Sequence, residues 1–321
     1  MDLPALFQEL PLASSAVDFS ALPLPGPRSD FLAKASDGSP VFLLHDSSLA
    51  SYTPAIELKH AAIQFHSTCR VTTASGTVEG QFAVITCDAT VPELHEVFIC
   101  CFAAAVEQLP VVTSTSDLQL CVQSLLDLFR TLDRPSSREL IGLWAELFII
   151  AKSKHVAQAI RAWHADTFER FDFSWASGCL EVKATTKELR QHEFALEQLR
   201  TPSSGAGYVV SVLLQTLSGG IGIVDLANEI ETSVATEPEM RQKLWGNVIS
   251  SLGSDFSGRL DRRFDVSYAE RNLAIYAMKD VPSVQQSSDP RITAVRFRVD
   301  LSSVASSVAG SARSVLDALL N

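Results

Sequence analysis

The sequence predicts an α/β fold, a mixed sheet flanked by helices, with an N-terminal β-rich (α+β) domain ahead of it. Three observations lead there. RFDFSWASGCLEVKAT (170–185) alternates apolar and polar residues about a Ser-Gly pair, the pattern of a half-buried hairpin. AGYVVSVLLQTL (206–217) is apolar without alternation, as a strand covered on both faces is. RELIGLWAELFIIAKSKHVAQAI (138–160) is apolar around most of its circumference, as a helix buried in a core is. A chain of 321 residues, 46% hydrophobic and 20% charged, can bury cores of this size.

Two domains are expected, residues 1–133 and 134–321. Residues 1–30 are rich in Pro and Leu, show little periodicity and are expected to run along a surface. FLAKASDGSPVFLLH (31–45) sets two apolar runs around Asp37-Gly38, and residues 61–89 do so around Ser75-Gly76; both read as hairpins. Helices follow at 93–108 and 117–132, the second ended by Asp133-Arg134-Pro135. In the second domain Ser136-x-x-Glu139 is a capping box that opens one helix over 137–162. After the 170–185 hairpin come a helix near 191–200 and the 206–217 strand. Helices near 225–235 and 237–252 follow, with Gly253 as C-cap, then short strands within 263–278 and 292–300 and a Ser/Ala-rich terminal helix.

With Ser177-Gly178 as a two-residue turn, facing residue numbers in the hairpin sum to 355. One face then collects Phe171, Phe173 and Trp175 opposite Ala184, Val182 and Leu180. The other pairs Arg170 with Thr185, Asp172 with Lys183 and Ser174 with Glu181. A slip of one residue would mix the faces. Opposed Cβ atoms lie about 5 Å apart and diagonal ones about 7–8 Å, so Asp172 and Glu181 can lean toward one cation with Lys183 beside both. Two carboxylates, a backbone carbonyl and waters suit Mg²⁺. Such an ion polarises a phosphoryl oxygen and lowers the pKa of bound water, and a nearby lysine orients that water or offsets transition-state charge. Glu146 stands among Trp144, Leu147, Phe148, Ile149 and Ile150, where a charge is costly unless paired or metal-bound. It is the fourth group expected to face the site.

An Asp, a short hairpin and Glu-x-Lys, preceded by a helix bearing Glu, resemble the PD-(D/E)XK nuclease superfamily. GLWAELFII, FDFSW, LEVKATT and HEFALEQL, in this order, further resemble a bacterial family grouped with that superfamily, whose genes often sit in restriction or phage-defence loci. The motifs cover about residues 137–200, and strand–helix order extends the likeness more weakly through the C-terminal third. The resemblance implies a restriction-endonuclease-like sheet and a Mg²⁺-dependent DNA endonuclease, with Mn²⁺ as an alternative ion and RNA not separated from DNA. Carried over, Asp172 and Glu181 would hold the metal, Lys183 would be the catalytic lysine and Glu146 the helix carboxylate. His192 and Gln198 would be accessory residues touching metal or DNA. Phe171 stands where the superfamily's name has Pro. The alternative is a nuclease-fold subunit that no longer cuts and binds DNA or scaffolds a defence complex.

Glu-x-Lys alone is a weak signal, expected about once by chance in a chain this long. Glu57-Leu58-Lys59, with Asp46 upstream, is such a match. Pro54 and the lack of alternation argue against a hairpin there, leaving a solvated strand face. His155 and His164 read as helix-surface residues. Arg259, Arg262, Arg263 and Arg271 form a basic cluster, a solvated face by default and a phosphate contact as the alternative. SGGIG (218–222) has Asp225 where a third fingerprint glycine would stand, so it reads as a turn before a helix.

The 26 basic and 37 acidic residues give a net charge of −11, which by itself disfavours a polyanion. Residues 1–133 hold 5 basic and 15 acidic residues, whereas 134–200 hold 10 and 9. The acidity thus belongs to the first domain, expected to be a protein-partner surface, and leaves the hairpin open to nucleic acid. No apolar run is long enough to span a bilayer. The N-terminus lacks the basic start of a signal peptide, and the six cysteines show no CxxC spacing. A reduced, cytoplasmic protein is expected.

Overall fold

Strand pairing closes the first strands of the chain into a ring. The computed structural model describes residues 2–49, 53–136, 139–164, 170–200, 205–285, 289, 291–292 and 294–306. The chain divides into two units, Met1–Pro135 with Thr236–Ser257, and Ser136–Ala235 with Gly258–Asn321. The first unit begins with helix α1 (Leu3–Glu9), capped by the Asp2 carboxylate, which accepts from Ala5 N at 3.0 Å. Strands β1 (Asp18–Pro23), β2 (Phe31–Lys34), β3 (Pro40–His45), β4 (Ile56–Glu57), β5 (Ala61–Thr73) and β6 (Gly76–Cys87) follow. They pair in the order β1-β2-β3-β6-β5-β4, and β1 also pairs in parallel with β5, Asp18–Ser20 against Arg70–Thr72. Phe19, Phe31, Leu43, Val71 and Phe82 pack within this ring. Helices α2 (His95–Val106) and α3 (Thr115–Phe129) complete the segment.

Three expectations change here. Residues 1–30 hold α1 and β1, whose Phe7 and Phe19 are buried. The β5–β6 turn is Ala74-Ser75, because Thr73 pairs with Gly76. Ile56–Glu57 does form a two-residue hairpin arm against β5, although Glu57 and Lys59 are exposed and Lys59 faces Asp133 at 3.5 Å.

In the second unit the expected 137–162 helix is two helices, α4 (Leu140–Lys152) and α5 (Val156–Ala162). Ser153, extended at ψ 141, ends the first. Glu139 rather than Ser136 is the N-cap of α4, and it makes no side-chain capping bond. Strands β7 (Phe173–Trp175), β8 (Gly178–Thr185), β9 (Gln191–Ala195), β10 (Ala206–Leu213) and β11 (Thr216–Ile221) and helix α6 (Ile223–Ser233) come next. Helix α7 (Pro238–Leu252) belongs to the first unit and packs on α2, with Arg241 bonded to Glu107. The short helices α8 (Phe256–Leu260) and α9 (Val266–Arg271) precede β12 (Leu273–Ala277) and β13 (Arg296–Asp300).

The sheet of the second unit runs β12-β10-β8-β7. Strands β8 and β10 are parallel; β7 and β12 are antiparallel to their neighbours, so the sheet is mixed. β9 and β13 pair separately as a two-stranded ribbon. The 206–217 strand ends at Leu213, and 218–222 contributes its first glycines to β11 before Gly222 caps α6. Within 263–278, residues 266–271 are helical. The expected C-terminal helix lies outside the described residues. Among the described residues no helix is long and apolar enough to cross a membrane.

The hairpin turn sits one residue earlier than expected. Trp175 pairs with Gly178 and Phe173 with Leu180, so facing numbers sum to 353 and Ala176-Ser177 reverse the chain. Gly178 is held in the strand by close approach. A Cβ there would lie 2.7 Å from both the Ala206 carbonyl oxygen and the Trp175 ring, whereas one on Gly219 would meet nothing within 4 Å. Gly178→Ala is expected to lower stability by about 1–3 kcal/mol in denaturant titration, and Gly219→Ala to leave it nearly unchanged.

Candidate active site

The hairpin sorts its residues by parity, so Cys179, Glu181 and Lys183 of β8 share one face of the sheet. On β10, Val209 stands beside Glu181 and Ser211 beside Lys183. Glu181 lies on a central strand and is 2% exposed. Lys183 Nζ contacts Glu181 Oε1 at 2.8 Å and lies 5.1 Å over the Phe194 ring. The Gln198 amide nitrogen donates to the same Glu181 Oε1, while its oxygen accepts from Ala195 N at 3.0 Å and Lys183 Nζ at 3.4 Å. All donors therefore converge on Oε1. Glu181 Oε2 is buried and has no hydrogen-bond partner among the described residues.

Asp172 immediately precedes β7, and its Oδ2 accepts from Val182 N at 2.7 Å. Its charge acts on Glu181, as does that of Glu146 on α4. Glu146 is 5% exposed and is held by Trp163 Nε1, which donates to its Oε2 at 2.7 Å. Burial first, then the Asp172 carboxylate, pushes Glu181 up to about 8, against the pull of Lys183. The structure thus gathers Asp172, Glu181, Lys183 and Gln198, with Glu146 within electrostatic reach.

His192 and Gln198 do not share a helix. His192 lies on β9, and Gln198 on the single 3₁₀ turn Leu196–Leu199 that follows. His192 is buried, with Nε2 2.8 Å from Ser211 Oγ, and Ser211 in turn accepts from Arg190 at 3.1 Å. Burial, then Lys183 and Arg190, lowers His192 to about 4, so it is neutral at physiological pH. His164 follows α5, and its backbone N–H donates to Asp172 O at 3.0 Å. Arg263 is bound to Asp225 and Gly220 O, tying β11 to the start of α6.

A family model described as "Putative PD-(D/E)XK family member, (DUF4420)" matches residues 53–302. The chain belongs to this family. No curated protein and no solved structure matches it. The mixed α/β unit is that of a PD-(D/E)XK-like fold.

Two residues at this candidate site are invisible to motif reading. Trp163 orients Glu146, and in the sequence it is one more apolar residue at a helix end. Arg170, next to Phe171, donates to the carbonyls of Glu197 and Arg200; its contact partners lie too far along the chain for spacing to reveal them. Among the described residues no three His, Cys, Asp or Glu side chains are gathered as a metal-binding group. The carboxylates that remain to meet a cation are Asp172 and Glu181. The buried Oε2 beside a second carboxylate is the feature that fits one, since a divalent ion offsets like charges that a lysine alone does not.

The raised pKa of Glu181 sets a direction for stability. The native state holds this proton more tightly than the unfolded chain, so stability is full below 4.5 and declines as pH rises toward about 8. In EDTA at pH 8.5, Glu181→Gln is expected to raise the thermal midpoint above wild type by about 2–4 °C for each ~1 kcal/mol of relieved charge burial. The two proteins should converge near pH 5 in calorimetry.

Proposed function

We propose that this protein is a Mg²⁺-dependent DNA endonuclease, hydrolysing phosphodiester bonds with water as nucleophile. The observation that carries the reading is the buried Glu181 Oε2, without a hydrogen-bond partner among the described residues, in a carboxylate that feels the Asp172 charge and whose other oxygen holds Lys183. Asp172 and Glu181 would hold the cation, which supplies Lewis-acid polarisation of the phosphate and a more acidic water. Lys183, positioned by Glu181, Gln198 and Phe194, presents a positive charge to the developing negative charge of the scissile phosphate. Glu146, oriented by Trp163, adds negative potential that favours a cation in the site. Neutral His192 supports the β9 ribbon behind Lys183 without adding positive charge. A restriction or phage-defence setting rests on family resemblance. The acidic first domain, residues 1–133, suits a protein partner better than DNA. Six cysteines without CxxC spacing suit a reduced, cytoplasmic protein.

The runner-up is a nuclease-fold subunit that binds DNA or scaffolds a complex without cutting. It is favoured by Glu181 being already engaged by Lys183 and Gln198, and by the small number of gathered carboxylates.

Incubation with supercoiled plasmid, linear DNA and RNA in Mg²⁺ or Mn²⁺ separates the readings and the substrates. Cleavage that falls by at least ~100-fold in Lys183→Ala and Asp172→Asn is the expected outcome. Equal background in all three proteins would favour the scaffold. The cation must displace the Glu181 proton, so Mg²⁺ affinity should rise up to about tenfold per pH unit below 8 and level off above it. Calorimetric titration across that range measures the slope.

A further inference from the structure

Gln198 makes three polar contacts in the site, yet it sits on a 3₁₀ turn of only four residues. A turn that short has little hydrogen bonding of its own to define its angle to the sheet. Arg170 supplies the missing constraint. Its Nε donates to Glu197 O and its Nη2 to Arg200 O, the carbonyls on either side of the turn's end. A planar guanidinium can bridge two such acceptors, and an ammonium cannot do so in the same fork geometry. The guanidinium also lies 4.6 Å over the Phe171 ring. Phe171 packs in one cluster with Leu199, Phe194 and Cys179, so the segment leading into Asp172 grips the turn by both its polar and its apolar side. The orientation matters because the Gln198 amide is directional: its oxygen faces Ala195 N and Lys183 Nζ, and its nitrogen faces Glu181 Oε1.

We propose that Arg170 is a positioning residue, which holds the Leu196–Leu199 turn so that the Gln198 amide stays fixed between Glu181 and Lys183. In this way both donors remain on Glu181 Oε1 and Oε2 stays unhindered. The role is an extension of the nuclease reading given above, since it concerns how the same carboxylate is presented.

The test uses full-length protein and Arg170→Ala, Arg170→Lys, Gln198→Ala and the Arg170→Ala/Gln198→Ala double variant. Side-chain amide signals of Gln198, identified by their loss in Gln198→Ala, are read in ¹⁵N–¹H spectra without metal. In wild type they are expected away from free-amide positions, and in Arg170→Ala at or near them. Mn²⁺ affinity by calorimetry should fall about tenfold in Arg170→Ala, at the low end for residues that orient a ligand. Gln198→Ala should fall equally, and the double variant no further. Arg170→Lys, which keeps the charge and fold but not the fork, should lie between. Unchanged amide signals in Arg170→Ala or Arg170→Lys, or additive losses in the double variant, would overturn the role. If no protein binds Mn²⁺ or cuts DNA, the nuclease reading fails, while the amide signals still decide the role of Arg170.

Discussion

A carboxylate inside a protein stays ionised only where other groups hold its charge, and the second unit is arranged around one that is incompletely held. Glu181 is on a central strand, flanked by β7 and β10, so no outward rotation can return it to water. Lys183 and Gln198 compensate one oxygen. The other has no hydrogen-bond partner among the described residues, and the charges of Asp172 and, less strongly, Glu146 act on the group. Each pKa unit represents about 1.4 kcal/mol of preference for the protonated form, so a rise from 4.5 to about 8 is a sizeable bias against the charged state. The surrounding residues limit that bias without removing it. Trp163 turns Glu146 to one side, and Val182 N takes up an oxygen of Asp172.

The parallel pairing of β8 with β10 explains how Gln198 comes to the site. Parallel neighbours require a long crossover, and the chain between Thr185 and Ala206 must leave one end of β8 and re-enter at the other. That crossover contains β9 and the 3₁₀ turn, and its return path passes over the face that carries Glu181 and Lys183. His192 and Phe194 are buried on it, while Gln191 and Glu193 point to solvent. The ribbon formed with β13 then anchors the crossover, which a lone β9 could not do.

Much of the site was legible because the acidic and basic residues fall on one parity of a strand pair. Strand parity survives an error in the turn. The notional turn at Ser177-Gly178 was displaced because Gly178 is needed inside β8, where Trp175 and Ala206 O leave no room for a side chain; that requirement depends on β10, far along the sequence. The 191–200 segment was ambiguous for a local reason. His192, Phe194 and Leu196 fit a two-residue period, whereas His192, Leu196 and Leu199 fit a helical one. Pairing with β13 selected the first. The division of the 137–162 helix at Ser153 had no Pro or Gly to announce it, and α7 joining the first unit was equally hidden, since composition does not mark which core an amphipathic helix covers.

The displaced register bears on why these residues are where they are. Moving the pairing from a sum of 355 to 353 keeps the parity of the paired residues but slides one strand past the other by two. Phe171, ahead of the paired segment, packs with Cys179 and Val209 on the Glu181 face rather than with Leu180 and Val182. Asp172, also ahead of it, lies near enough to Glu181 for its charge to raise that carboxyl's pKa, and its Oδ2 takes Val182 N. For stability alone this is worse than an aspartate set against Lys183, because neighbouring like charges destabilise a strand pair and opposite charges stabilise it. Burial makes the disadvantage larger. A hairpin free to optimise its own pairing would keep the aspartate against the lysine. Local conflict of this kind, within an otherwise consistent core, is characteristic of positions retained for chemistry rather than for folding.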